Sequence, residues 1–163
     1  MPYEPLITFA QSFGLQAALA MIEDGIVTWW TALPDGSTVR RWCHRDGMLF
    51  CIDVAAAQDN NVVEVVDAHQ TEYAMDEVVL FYEQMRYLAG IPIKLRCNSE
   101  CVLLLMDLQP SGPKARELCI SKMHQLAKKM KIAYSASVDR EATKSEVIKE
   151  SRLGIWLSST MDG

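Results

Sequence analysis

The sequence predicts an α+β fold: one mainly antiparallel sheet of about five to seven strands with helices packed on it, in the rough order α-β-β-β-β-α-β-β-α-β-α. Three observations carry that expectation. Val102 to Met106 is a run of five apolar residues in a chain that otherwise mixes polar and apolar closely, and such a run suits a strand covered on both faces. Short runs rich in Val, Thr and Trp are separated by Pro34-Asp35-Gly36-Ser37 and Arg45-Asp46-Gly47, residues that favour turns. Elsewhere the apolar period lengthens to three and four, as in helices with one packed face.

In chain order, Leu6, Ala10, Phe13, Ala17 and Met21 predict a helix over residues 5–22, which Asp24-Gly25 closes. Strands follow at 26–33, 38–44, 48–55 and, after the polar loop 58–61, at 62–66. Residues 71–89 are read as a second helix, with Met75, Val78, Val79, Tyr82, Met85 and Leu88 as its stripe, Asp76 and Glu77 in its first turn, and Gly90-Ile91-Pro92 at its end. Strands at 91–97 and 101–108 are joined by Asn98-Ser99-Glu100. Ser111 or Gly112 caps a third helix with Pro113 in its first turn; its stripe is Ala115, Leu118, Cys119, Met123, Leu126, Ala127 and Met130. A strand at 132–138 follows, in a strand-helix-strand order compatible with a parallel crossover. Asp139 then caps a short helix to residue 150, and residues 153–157 form a last apolar clip. Ile7, Leu15 and Leu19 in the first helix, and Leu80, Phe81 and Tyr87 in the second, widen the apolar surface past one face, which predicts a homodimer. The layout of helix, strand meander, helix, strand pair and helix resembles that of small acidic secretion chaperones in outline only.

A chain of 163 residues fits one domain over 1–163, since folding at this size removes roughly 70% of the unfolded surface from water. Half of its residues are hydrophobic and few are Gly or Pro, which excludes disordered, collagen-like and low-complexity classes. The apolar N-terminus carries Glu4 where a signal peptide needs bases, and Thr8, Gln11, Ser12 and Gln16 interrupt it, so neither export nor a membrane span is expected. Five cysteines, Cys43, Cys51, Cys97, Cys101 and Cys119, are an odd number in apolar or strand-like contexts and read as reduced thiols of a cytoplasmic protein.

Chemistry-bearing patterns are sparse. Cys97 and Cys101 have the spacing of a ligand pair but no matching pair downstream, so no metal is expected. His44, His69 and His124 stand in no active-site motif with a cysteine, and no Gly-rich phosphate loop occurs. Glu64 with Asp67, and Asp76 with Glu77, read as surface and helix-start acids. No catalytic residue and no cofactor are nominated.

Two surfaces remain. Trp29, Trp30, Arg40, Arg41, Trp42, His44 and Arg45 lie on two strands joined by one turn, with alternation placing Arg40, Trp42 and His44 on one face and Arg41, Cys43 and Arg45 on the other. Rings beside guanidinium groups suit a protein interface or stacked bases. The second is a basic helix face of Lys114, Lys122, Lys128, Lys129 and Lys131, which suits a phosphate or an acidic partner. The acidic balance, net -5 overall, opposes broad nucleic-acid binding, although residues 1–112 carry 15 acids against 6 bases and residues 113–152 carry 10 bases against 5 acids. The expected function is a non-enzymatic protein-interaction module, an adaptor, chaperone-like binder or inhibitor, acting as a dimer on a protein partner. A nucleic-acid-binding accessory protein is the alternative, and a small enzyme with a dispersed site the third.

Overall fold

The apolar run at 102–106 lies in the middle of the protein. A computed structural model describes residues 3–57, 61–81, 85–95, 100–117 and 121–136. Its six strands are β1 (Gln16–Glu23), β2 (Ile26–Ala32), β3 (Thr38–His44), β4 (Val63–Val65), β5 (Tyr87–Ile93) and β6 (Glu100–Asp107). They form one sheet in the order β3-β2-β1-β6-β5-β4, every neighbour antiparallel. The α+β class expected from the sequence is therefore the fold of the protein.

Both faces of the sheet are covered, and the alternation of side chains along β6 shows how. Leu103 and Leu105 point into one core with Leu6, Phe9 and Ala10 of helix α1 (Glu4–Phe13). Val102, Leu104 and Met106 point into the other, with Phe50, Cys51 and Val54 of helix α2 (Leu49–Ala57) and Val78 and Val79 of the short helix α3 (Glu77–Phe81). Helical residues 113–117 (α4) and 121–136 (α5) join α1 on the first face, where Ala115, Met123, Leu126, Ala127 and Met130 are buried. The expected apolar stripe of this region is thus the packed one for its described members; Leu118 and Cys119 lie outside the described residues.

Four expected elements are different. Residues 16–22 form strand β1, and Asp24-Gly25 is a two-residue hairpin turn with both φ angles positive, 51° and 78°, as Asp-Gly in a type I′ turn requires. A strand buried on both faces loses its polar alternation, and QAALAMIE then satisfies a helical period equally well. Similarly, 71–89 resolves into a 3-10 turn (Glu72–Met75), α3 and β5. The strand expected at 48–55 is replaced by α2 (Leu49–Ala57), which follows a 3-10 turn at Arg45–Gly47. Residues 132–136, expected as strand, continue α5 as helix, so they supply no parallel crossover. The expected turn at 98–99, the helix from Asp139 and the clip at 153–157 lie outside the described residues.

Long-range polar contacts fix the helices to the sheet. Asp76, 1% exposed, accepts the N–H groups of Leu49 and Phe50, each at 2.9 Å, and so caps the start of α2 from elsewhere in the chain. Burial raises its pKa above the usual carboxylate value, against the pull of those two N–H groups, and Asp53 and Glu72 push the same way as burial. On the other side, Glu64 of β4 accepts Arg116 Nε at 3.0 Å and the Tyr87 hydroxyl at 2.6 Å. The Tyr87 ring lies so close to Gly112 that a Cβ there would meet it at 2.3 Å, and Gly112 also has φ of 42°, so only glycine fits this helix entry.

Two outcomes follow. Leu104→Ala, which opens a cavity between β6 and α2, lowers unfolding free energy by about 2–5 kcal/mol in urea denaturation. Because Asp76 has a raised folded-state pKa, the native state holds its proton more tightly than the unfolded chain. The stability of wild type relative to Asp76→Asn therefore increases as pH is lowered from neutral through the folded-state pKa to the ordinary Asp range; urea midpoints along a pH series check the sign.

Candidate functional site

The sheet register brings the Trp and Arg residues of the β2–β3 hairpin together but divides them between two faces. Trp29 pairs with Arg41, Trp30 with Arg40, Thr28 with Trp42 and Ile26 with His44. Trp29 faces α2 and is only 2% exposed. It is a core residue and offers nothing to a partner. Cys43 shares that face and is buried, while Arg41 on β3 and Arg45 in the following turn are exposed.

On the opposite face Trp30 is half-buried beneath two neighbours. The Tyr3 ring lies 5.4 Å from it, and the Arg40 guanidinium carbon stands 5.4 Å from its centroid on a cation–π contact. Burial pushes the Tyr3 hydroxyl pKa up, an effect that the nearby Arg40 charge opposes. One ring and one guanidinium of the expected set are therefore engaged with each other and with the segment leading into α1.

What remains open is a corner. Trp42 is 64% and Ile26 39% exposed; His44 is exposed with its ring edge-on to Trp42 at 5.9 Å, and Thr28 and Met21 are half-buried beside them. These residues sit at the Asp24-Gly25 end of the sheet, on the face that α1 contacts through β1 and β2, yet no described helix covers them. An exposed indole next to an exposed isoleucine is a contact-forming surface, because burying one such ring contributes about 1.5–3 kcal/mol.

The lysine surface is separate. Lys114, Lys128, Lys129 and Lys131 are exposed and Lys122 half-buried along α4 and α5. Those helices pack on residues of β5 and β6, whereas the open corner belongs to β2 and β3. The two expected surfaces share one side of the sheet without merging.

A third surface was hidden from sequence reading because its residues were taken for a strand. Helix α2, LFCIDVAAA, is apolar around nearly its whole circumference. Phe50, Cys51 and Val54 face the core and the half-buried Ile52 packs against it, while Leu49 and Ala56 are exposed on the outer side. Met75, 73% exposed, and Leu80 flank Asp76 and so adjoin the start of α2. Asp53, the one acid on this helix, accepts the Tyr73 hydroxyl at 2.6 Å.

Catalytic groupings do not form among the described residues. Burial pushes the Cys43 thiol up to about 11, with Glu77, Asp76 and Asp46 adding to the effect, and pushes Cys101 up to about 12. The Cys51 thiol is raised as well, by burial first. All three are therefore protonated at neutral pH, the reverse of what a thiolate nucleophile needs. A cavity of about 210 Å³ at the opposite end of β1 and β6 is lined by Gln16, Asp107, Gln109, Lys114 and apolar neighbours, with neither cysteine nor histidine. No group of three or more His, Cys, Asp or Glu residues among the described ones has metal-binding geometry; Cys97 lies outside them. Likewise, no described helix is long and apolar enough to cross a membrane.

The two neighbouring tryptophans separate structure from surface. Trp30→Ala, which removes the seat of both Tyr3 and Arg40, lowers stability by about 2 kcal/mol or more, whereas Trp42→Ala stays within about 0.5 kcal/mol of wild type; thermal unfolding followed by circular dichroism distinguishes them. No protein-family model matches the chain, and no curated protein does.

Proposed function

We propose that this chain is a dimeric, non-enzymatic protein-interaction module of a chaperone-like kind, which holds a partner protein at the open corner formed by Ile26, Trp42 and His44. The observation that carries the reading is Trp42. A large ring standing 64% exposed on a seven-residue edge strand is unusual where the same sheet buries Trp29 and engages Trp30, and interfaces concentrate their energy in such residues. Arg40 shares its face, Arg41 and Arg45 lie on the other face of the same strand and turn, and the three supply positive charge for orientation. The buried, protonated thiols suit a reducing cytoplasm.

The second copy is assigned to the outer face of α2. A helix with apolar residues on both its inner and outer sides needs cover on both, and a two-fold contact of Leu49, Ala56 and the exposed edge of Ile52 against themselves supplies it, with the Asp53 carboxylate held aside by the Tyr73 hydroxyl. The partner site lies near β3 and the dimer face on α2, so occupancy of one leaves the other free.

The nucleic-acid reading has less support. The lysines of α4 and α5, helices that pack on β5 and β6, do not run on from the Trp42 corner into one basic track of the kind single strands follow.

Light scattering of wild type gives the mass of a dimer, and Leu49→Glu with Ile52→Asp converts it to a folded monomer; an unchanged mass removes α2 from the interface. In affinity capture from its own cell extract, the wild-type chain retains a partner that Trp42→Ala loses while keeping its melting temperature. Equal retention by both proteins rejects the corner as the site. Binding to single-stranded oligonucleotides at low salt that falls steeply as salt rises would favour the nucleic-acid reading instead.

A further inference from the structure

Two hydrogen bonds at the ends of the β2–β3 hairpin fix which backbone groups of β3 face outward. Leu33 N–H donates to Ser37 O, and Arg45 N–H donates to Gly25 O, both at 2.9 Å. In the register between them, Thr31 pairs with Val39, Trp29 with Arg41 and Val27 with Cys43. Antiparallel pairs alternate between hydrogen-bonded and non-hydrogen-bonded, so these three share the phase of the two terminal bonds. Val39, Arg41 and Cys43 thus direct their N–H and C=O groups at β2. Thr38, Arg40, Trp42 and His44 direct theirs away from the sheet.

Nothing described lies along that side. β3 ends the strand order, and Thr38, Arg40, Trp42 and His44 form no backbone hydrogen bond to any segment outside the sheet. The same residues turn their side chains to the face of the open corner. An outward backbone ladder and an exposed aromatic surface therefore coincide on one strand, the arrangement by which an added strand gains affinity from main-chain bonds and selectivity from alternate side chains.

We propose that β3 accepts an extended, acidic segment of a partner protein as a seventh strand of the sheet. This deepens the interaction reading above and rests on it. The sign of the charge comes from the edge itself: Arg40, Arg41 and Arg45 are three of the 6 basic residues in positions 1–112, where 15 acids stand, and no acid occurs between Thr38 and Arg45. Arg40 lies on the face of the open corner, so a carboxylate of the added strand meets it there, while an apolar residue packs on Trp42. A second copy of β3 is disfavoured as the added strand, because pairing gathers four guanidinium groups from the two Arg40-Arg41 pairs on one ribbon, and like charges held opposite are destabilising.

The test is amide hydrogen exchange by NMR on the full chain, with a synthetic peptide of eight residues that has two adjacent glutamates flanked by Val and Thr. In the free protein the amides of Arg40, Trp42 and His44 exchange freely while those of Val39, Arg41 and Cys43 are protected; protection of the first set before peptide is added means that the edge is already covered, and overturns the proposal. Added peptide slows the outward set by about tenfold or more. A peptide with lysine for glutamate, and one with the same side chains but alternate amides N-methylated, fail to do so; equal protection by either overturns the proposal, as does no protection by the glutamate peptide. Arg40→Pro removes an outward donor without touching the bonds to β2, and it weakens peptide binding beyond Arg40→Ala; equal weakening by the two overturns the backbone role. If a natural partner binds in a Trp42-dependent way and these amides still exchange freely in the complex, strand addition fails and the interaction reading survives. Indifference of partner binding to Trp42→Ala sinks the reading beneath it.

Discussion

Coverage of β1, β6 and β5 from both sides is the constraint on which the rest depends. Strands whose odd and even residues are both apolar need a helical layer above and another below. α1 with α4 and α5 supplies the first, and α2 with α3 the second. Each layer is secured by a polar contact that reaches far along the chain: Asp76 on the first amides of α2, and Glu64 on Arg116 and Tyr87. The cover thins toward β3, and the exposed residues of the hairpin are what two layers of this width leave over.

This arrangement explains which parts of the fold could be read in advance. Val102 to Met106 announces a central strand because five successive apolar residues have no other economical home, and Pro34 to Ser37 announces its turn through the Asp35 carboxylate, which accepts the Ser37 N–H at 2.8 Å. β1 was illegible for the same reason that β6 was obvious. Its run is shorter in large side chains and richer in alanine, so the helical period fitted it too. Of the surplus apolar residues, Leu15, Leu19 and Tyr87 are buried within one copy, whereas Leu80 stands 47% exposed near the apolar outer side of α2. The start of α2 depends on a carboxylate at position 76, a contact that no local window contains.

The candidate site was legible in composition and not in depth. Alternation along β3 separated Arg40, Trp42 and His44 from Arg41 and Cys43 as the structure has them. Sequence could not say that Trp29 would sink into the α2 core, since Trp29 and Trp30 are neighbours of one type on one strand and only the order of layers distinguishes them. Nor could it show that Tyr3 would arrive over Trp30, a contact made by the segment entering α1.

The pairing of β1 with β6 also governs how the molecule is made. Ala18 lies beside Leu104, so β1 must wait for a strand made much later in the chain to complete its ladder, and closing so long a loop is slow. Until then β1 presents an apolar edge of its own. During synthesis the N-terminal meander is an unfinished half-sheet, and any factor that shields nascent chains has its most demanding interval between the emergence of Glu23 and that of Asp107.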